Sequence, residues 1–436
     1  MPRIEAVKIS KVKNVRGRIT LPGDKSISHR AAMFAAIAEG TSRITNFASS
    51  ADCASTVACM EALGVRFEKN GSELTVHGVG KTGLKEPSAP LDCGNSGTTM
   101  RLISGILAGQ PFTSTLIGDE SLSRRPMKRI IGPLTDMGAV LDSVEGHAPL
   151  TISGTNPLRP LDFKLPVASA QLKSCVLLAG LNADGETTVI ESVPSRDHTE
   201  RMLRGFGVSV RETKADERRI SVSGDAKLIA TDVQVPSDVS SAAFFLVAAA
   251  CLAGSRIEMP GVGLNPTRTG IIEVLRRFGA SIETADEHIS GGEPIGTLIV
   301  SGEGVLGADH NRIDGPIVAN LIDEVPILAV FGTQTESGIE IRDAGELRVK
   351  ESDRIAAVAE NLRRMGADVD EFEDGLRVGP SRLKGAVIDT YHDHRIAMAF
   401  AVAGLFAERE TEIRGAETAA VSFPEFFDVL SSVSNG

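Results

Sequence analysis

The chain has 436 residues, of which 42% are hydrophobic and 24% charged, and a formal net charge of −11. That length exceeds one ordinary core and points to two domains. The acidic balance argues against a nucleic-acid or anionic-membrane partner, and a composition poor in aromatics, with no Trp, one Tyr and sixteen Phe, does not suit a stacking surface for bases. The five cysteines, Cys53, Cys59, Cys93, Cys175 and Cys251, form no CxxC pair or zinc spacing and read as buried reduced thiols. No signal-like apolar core opens the chain and no run of eighteen apolar residues occurs, so a soluble, cytoplasmic protein is expected.

Taken in chain order, the expected elements repeat. Six Ala-rich helices are expected to begin near Lys25, Asn95, Ser169, Ser237, Leu321 and His392. Each leads into a short strand, over 40–47, 113–119, 185–192, 254–261, 336–343 and 409–415. Five units then add a second helix that ends on a large apolar residue, Gly and a small apolar residue: Leu63-Gly64-Val65, Met137-Gly138-Ala139, Phe206-Gly207-Val208, Phe278-Gly279-Ala280 and Met365-Gly366-Ala367. Gly just past a helix end closes the C-terminus in the left-handed conformation, and a strand should follow, as over 65–67 and 208–210. The sixth unit stops at a helix expected over 422–430. The strand pattern over 4–9 has no helix before it and is expected to supply what the sixth unit lacks.

A second echo places the domain boundary. Leu21-Pro22-Gly23-Asp24-Lys25-Ser26 opens the first helix and Val235-Pro236-Ser237-Asp238-Val239-Ser240 the fourth. One domain of three repeats is expected over 21–240. The other is expected over 241–436 with 1–20, with crossings near 20–22 and 236–241 and a ligand cleft between the two.

Charge at helix starts marks the candidate site, because free N–H groups and the helix dipole attract anions there. Lys25, Ser26 and Arg30 open the first helix. Gly94-Asn95-Ser96-Gly97-Thr98-Thr99-Met100-Arg101 opens the second, with glycines that admit a ligand close to the backbone. Ser123-Arg124-Arg125-Pro126 is expected to start a further helix. Lys350 and Arg354 are expected one turn apart on a helix face, where they repel unless an anion lies between them. Glu351 beside them suits a proton carrier. Asp323-Glu324 and Asp393-His394-Arg395 occupy matching places in the fifth and sixth units. His29, His198 and His394 each read more simply as satisfied structural histidines. The pattern holds no His/Cys cluster for zinc and no carboxylate set for magnesium, so no metal or cofactor is expected.

These motifs together resemble the 5-enolpyruvylshikimate-3-phosphate synthase family over essentially the whole chain. The segments that carry the resemblance are Leu21 to Ser26 with Arg30, Gly94 to Thr98 with Arg101, Arg125-Pro126, Ser169-Ala170-Gln171, Ser195-Arg196-Asp197-His198, Ile322-Asp323-Glu324, Arg348 to Arg354 and Asp393-His394-Arg395. The Lys-Glu-Ser-Asp-Arg run at 350–354 is the most specific. The resemblance implies an α/β fold, a two-domain inverse α/β barrel with three βαβαββ repeats in each domain. It implies transfer of the enolpyruvyl group of phosphoenolpyruvate to the 5-hydroxyl of shikimate 3-phosphate, in aromatic amino-acid biosynthesis, through a tetrahedral intermediate in the cleft.

The resemblance also assigns roles. Lys25, Ser26, Arg30, Ser169, Gln171, Ser195, Asp323 and Lys350 would hold shikimate 3-phosphate. Lys25, Gly97, Arg125, Gln171, Arg354 and Arg395 would hold phosphoenolpyruvate. Asp323 would be the base for the hydroxyl, and Glu351, with Lys25, the proton carrier. A monomer that meets only these small molecules is expected. Ala170 stands where many members have a second Ser, His198 where many have Tyr (the form called class II), and Val421 where many have Lys. Two other readings stay open. A UDP-N-acetylglucosamine enolpyruvyl transferase normally carries a Cys in the loop matching 118–125, absent here, and lacks the Lys-Glu-Ser-Asp-Arg run. A non-catalytic repeat scaffold would not gather cations at helix starts.

Overall fold

The computed structural model describes residues 6–214, 216–302 and 306–434. The chain divides into two compact units, which are taken separately: 1–22 with 237–288 and 294–436, and 23–236 with 289–293.

The second of these, the 23–236 unit, holds three sheets of four strands. In the first, Glu39–Thr45 pairs antiparallel with Glu73–Val79, which pairs antiparallel with Arg66–Asn70. A short strand, Val233–Gln234, pairs parallel with the outer edge of Glu39–Thr45. The sheets around Thr113–Ile117 and Glu186–Glu191 repeat this order, with Leu91–Asp92 and Asp162–Lys164 as their short parallel strands. In the other unit, Arg16–Arg18 is the short parallel strand beside Arg256–Gly263. Arg16–Arg18 and Val233–Gln234 each end a few residues before a point where the chain passes between units, 22/23 and 236/237, and the chain passes again around 289–293. The sixth sheet has three strands. Ala6–Ile9 pairs antiparallel with Thr411–Arg414, in the place a hairpin partner fills in the other five. Ile4 and Glu5 of the expected strand lie outside the described residues.

The helices that lead each repeat form the cores. Lys25–Ala36, Gly97–Ala108 and Ala170–Gly180 serve one unit, and Val239–Cys251, Val325–Thr333 and His394–Phe406 the other. Val239 to Ala250 and His394 to Phe406 are buried on every side, as expected of a helix that is apolar all round. Small residues make this possible: Cys175 O would lie 2.2 Å from a Cβ at Gly105, so those two helices touch through backbone. The outer helices end as their glycines require, with Gly64 at φ +90° and Gly207 at φ +83°.

Several expected elements differ. The strand after Gly207 begins at Arg211, because Val208 and Val210 turn into the core before the ladder starts. The last helix runs Phe426–Ser434, after a 3₁₀ turn over Ala416–Val421. The fifth lead helix is broken: Pro316–Leu321, a 3₁₀ turn Ile322–Glu324, then Val325–Thr333 with Pro326 in its first turn. The span 316–333 is apolar and long enough to cross a membrane by composition alone. It is 67% buried within its unit and carries Asp323 and Glu324, which suits a core helix. All five cysteines are free thiols, and burial pushes Cys53 and Cys175 each up to about 12.

Candidate functional site

The candidate residues fall into two sets, one in each unit. In the 23–236 unit, Asp24 caps the first lead helix by accepting from Ile27 N at 2.9 Å. Lys25 follows in the first turn, where the dipole disfavours a cation. Its Nζ lies 2.9 Å from Asp52 Oδ2, in a pair whose side chains are 18% and 8% exposed. Asp52 was not visible as a partner, since it sits 27 residues away in the next helix, Ala51–Ala62.

Arg30 is buried one turn further in. Its Nε donates to Thr199 Oγ1 at 2.7 Å and its two Nη atoms to Ser26 O and Ser174 Oγ, each at 2.8 Å. Ser26 is half-buried beside it. His29 is buried with Nδ1 2.6 Å from Thr56 Oγ1, and Thr56 reaches Thr99, which reaches Ser96. Burial, then Lys25 and Arg30, hold His29 well below its usual range, so it is a neutral structural group.

The second lead helix starts at Gly97, capped by Ser96, with Asn95 outside it. A Cβ at Gly97 would stand 2.7 Å from Arg101 Nη1 and 3.4 Å from Arg125 Nη1, so this glycine faces two guanidinium groups. Arg101 Nη1 donates to Gln171 Oε1 at 2.7 Å, and Gln171 Nε2 to Thr98 Oγ1 at 2.9 Å. Ser169 caps the third lead helix through Leu172 N. Ser195 is buried, its hydroxyl donated to Glu191.

Arg125 corrects an expectation. It does not open a helix. Asp119 caps a short helix, Glu120–Ser123, with Arg124 as its C-cap, and the expected further helix begins only at Lys128, so neither arginine lies in its first turn. Arg124 is exposed and paired with Glu120. Arg125 Nη2 donates to Asn95 Oδ1 at 2.8 Å and Ser121 Oγ at 3.1 Å, which ties the loop to the start of the second lead helix.

The other unit holds Asp323, Lys350, Glu351, Arg354 and Arg395. Lys350 and Arg354 do not share a helix face. A 3₁₀ turn ends at Val349, Lys350 has φ −82° and ψ −149°, and the helix begins at Arg354 under an Asp353 cap. The anion between the two cations is internal: Asp323 Oδ1 lies 3.2 Å from Arg354 Nη1 and 3.8 Å from Lys350 Nζ. Arg354 is 1% exposed. Its Nε meets Asp393 Oδ2 at 2.8 Å and its Nη2 meets Glu351 Oε2 at 2.7 Å. Burial alone would lower this guanidinium, but Asp393, Glu351 and Asp323 outweigh it and hold it above its ordinary value. Arg395, in the first turn of the sixth lead helix, has Nη1 3.5 Å from Glu324 Oε1, and Ser240 donates to the same oxygen. Arg268 adds a buried cation, 2.6 Å from Ser240 Oγ.

Sequence reading missed Asp52, Arg268 and the hydroxyls that hold Arg30. Nothing local marks them, because each meets its partner only through packing. Val421 ends the Ala416–Val421 turn, half-buried. His198 is buried with Nδ1 2.8 Å from Glu293 Oε1, and His394 is buried too. Among the described residues, no group of three or more His, Cys, Asp or Glu gathers as a metal could need.

Six repeats in two units of three, with cations held against carboxylates at the starts of lead helices, define an α/β protein of two repeat-built units. Residues 9–430 match the family model described as EPSP synthase (3-phosphoshikimate 1-carboxyvinyltransferase). The chain belongs to this family. It is 51% identical to the 3-phosphoshikimate 1-carboxyvinyltransferase of Koribacter versatilis, over 99% of each chain. It is 52% identical to the protein of the same name from Salinibacter ruber, over 98% of this chain and 99% of that one. The solved structure of the EPSP synthase of Acinetobacter baumannii, 45% identical, superposes with a TM-score of 0.87 over 98% of both chains. These relatives favour neither of the alternative readings.

Proposed function

We infer that this chain transfers the enolpyruvyl group of phosphoenolpyruvate to the 5-hydroxyl of shikimate 3-phosphate and releases phosphate. The observation that carries the reading is the full-length family match, joined to cations at the starts of lead helices in both units. Two substrates that together bear two phosphates and two carboxylates need such a concentration of fixed positive charge.

Lys25, Ser26, Arg30, Ser169, Gln171, Ser195, Asp323 and Lys350 hold shikimate 3-phosphate. Lys25, Gly97, Arg125, Gln171, Arg354 and Arg395 hold phosphoenolpyruvate. Asp323 takes the proton of the 5-hydroxyl as its oxygen bonds to the middle carbon of phosphoenolpyruvate. Glu351, with Lys25, gives a proton to the methylene carbon, which becomes a methyl group. The tetrahedral adduct then loses phosphate as the C–O bond breaks, and a methyl proton leaves to restore the double bond. The carboxylates now beside the cations keep them in place until a substrate anion takes over. We hold the protein to be a cytoplasmic monomer that acts on these two small molecules alone.

The direct test mixes the purified protein with both substrates and a chelator and follows phosphate. Release that survives the chelator and needs both substrates is expected. No release, or release that requires added metal, overturns the reading. A second expectation follows from Gly97. Gly97→Ala places a methyl group against Arg101 and Arg125, so their ends shift. The KM for phosphoenolpyruvate should rise about tenfold or more, as for a misplaced positioning group, while the melting temperature stays near that of the parent. Steady-state kinetics with phosphoenolpyruvate varied reads this.

A further inference from the structure

Lys173 lies on the lead helix Ala170–Gly180, amid Leu172, Cys175, Val176 and Leu177, and its side chain has no solvent exposure. A lysine is almost never placed there without cause. Its Nζ sits 3.1 Å from Glu191 Oε1 and 2.7 Å from Glu200 Oε1, both with fully buried side chains. Arg218 closes the cluster, 3.0 Å from Glu191 Oε2 and 3.3 Å from Glu200 Oε1. Burying Lys173, Glu191 and Glu200 is costly, and well-packed apolar residues often stabilise a core as well or better. A contribution other than stability is therefore the natural explanation.

The cluster converges on one residue. Glu191 Oε1 accepts from both the backbone N, at 3.1 Å, and the Oγ of Ser195, and Lys173 Nζ donates to Ser195 O at 3.4 Å. All three polar groups of Ser195 are thus held by Glu191 and Lys173, in a loop of irregular backbone between Glu186–Glu191 and His198–Gly205. We propose that Glu191, held by Lys173 and Arg218, is a positioning residue that fixes Ser195 for the phosphate of shikimate 3-phosphate. This rests on the reading that Ser195 contacts that substrate.

The balance of charge matters to the function. An uncompensated carboxylate would keep the Ser195 hydroxyl proton for itself. Lys173 and Arg218 hold Glu191 in place, so when a phosphate dianion takes the hydrogen bond of the single hydroxyl proton the carboxylate still accepts from the Ser195 backbone N, and the loop keeps its position while Oγ turns to the ligand. No proton leaves Ser195; its hydrogen bond is re-aimed.

Glu191→Asp tests this, because it keeps the charge and withdraws the acceptor by one methylene. The KM for shikimate 3-phosphate should rise about tenfold, the scale of one hydrogen bond to a charged group. The KM for phosphoenolpyruvate and kcat should stay near the parent values. In a Ser195→Ala background the same substitution should change the shikimate 3-phosphate KM no further. An unchanged KM in folded Glu191→Asp overturns the proposal. So does an equal change for both substrates, or an effect that persists without the Ser195 hydroxyl. Failure of Glu191→Asp to fold assigns the cluster to stability and also overturns it. If the parent protein does not turn over the two substrates, the functional reading fails, whereas an active parent with an indifferent Glu191→Asp sinks only this inference.

Discussion

Lys25→Ala is expected to lower kcat/KM by about a hundredfold to a thousandfold, the scale for removing one charged donor from a preorganised site. Lys25 is assigned to both substrates, so no second residue replaces it. Two effects on stability oppose each other. Removing a cation from the first turn relieves about 0.3–1 kcal/mol of repulsion with the helix dipole. Leaving Asp52, 8% exposed and with Oδ1 already lacking a hydrogen-bond partner, without its cation costs about 1–3 kcal/mol. The net loss should be small beside the kinetic one. Kinetics and thermal melting on the same preparation separate the two. A variant of near-parent activity removes Lys25 from the site.

Arg354→Ala carries the larger structural consequence. It removes a group that meets Asp323, Glu351 and Asp393 together, at 3.2, 2.7 and 2.8 Å. Breaking a buried ion pair from one side costs about 3–5 kcal/mol, because the remaining charge stays buried without compensation. Denaturant unfolding should therefore show a lowered midpoint with little change in slope. Activity should fall as well, since Asp323 and Glu351 lose the cation that orients them. Arg354→Lys keeps the charge but not the planar fork, so it should recover only part of the stability. An unchanged unfolding midpoint in Arg354→Ala would show that the three carboxylates find other partners.

The repeat was legible because its markers are local. A glycine that must take positive φ at a helix end, as Gly64 and Gly207 do, is a backbone requirement that no distant residue can meet. Asp24, Ser96, Ser169 and Asp393 announce lead-helix starts for the same reason, since a cap bonds residues two or three positions ahead. The strand pattern near the N-terminus was legible as a piece without a partner, and that partner is Thr411–Arg414.

The reading failed where charge alone was used to place a helix. Arg124 and Arg125 follow the helix Glu120–Ser123 and do not begin one, and Lys350 precedes its helix without joining it. In both cases an acidic cap, Asp119 or Asp353, was the stronger local signal, because a cap satisfies backbone groups whereas a surface charge only biases them.

By itself, then, the sequence determined the period, the capped starts of the lead helices, the acidic balance of charge and the family, all of which depend on residues a few positions apart or on segments matched as wholes. The tertiary structure alone decided which carboxylate faces which cation. Lys25 with Asp52, Arg354 with Asp323 and Asp393, and Lys173 with Glu191 are 27, 31, 39 and 18 residues apart in the chain. Electrostatic pairing in a buried site follows distance in space, and that distance is set by how the lead helices pack.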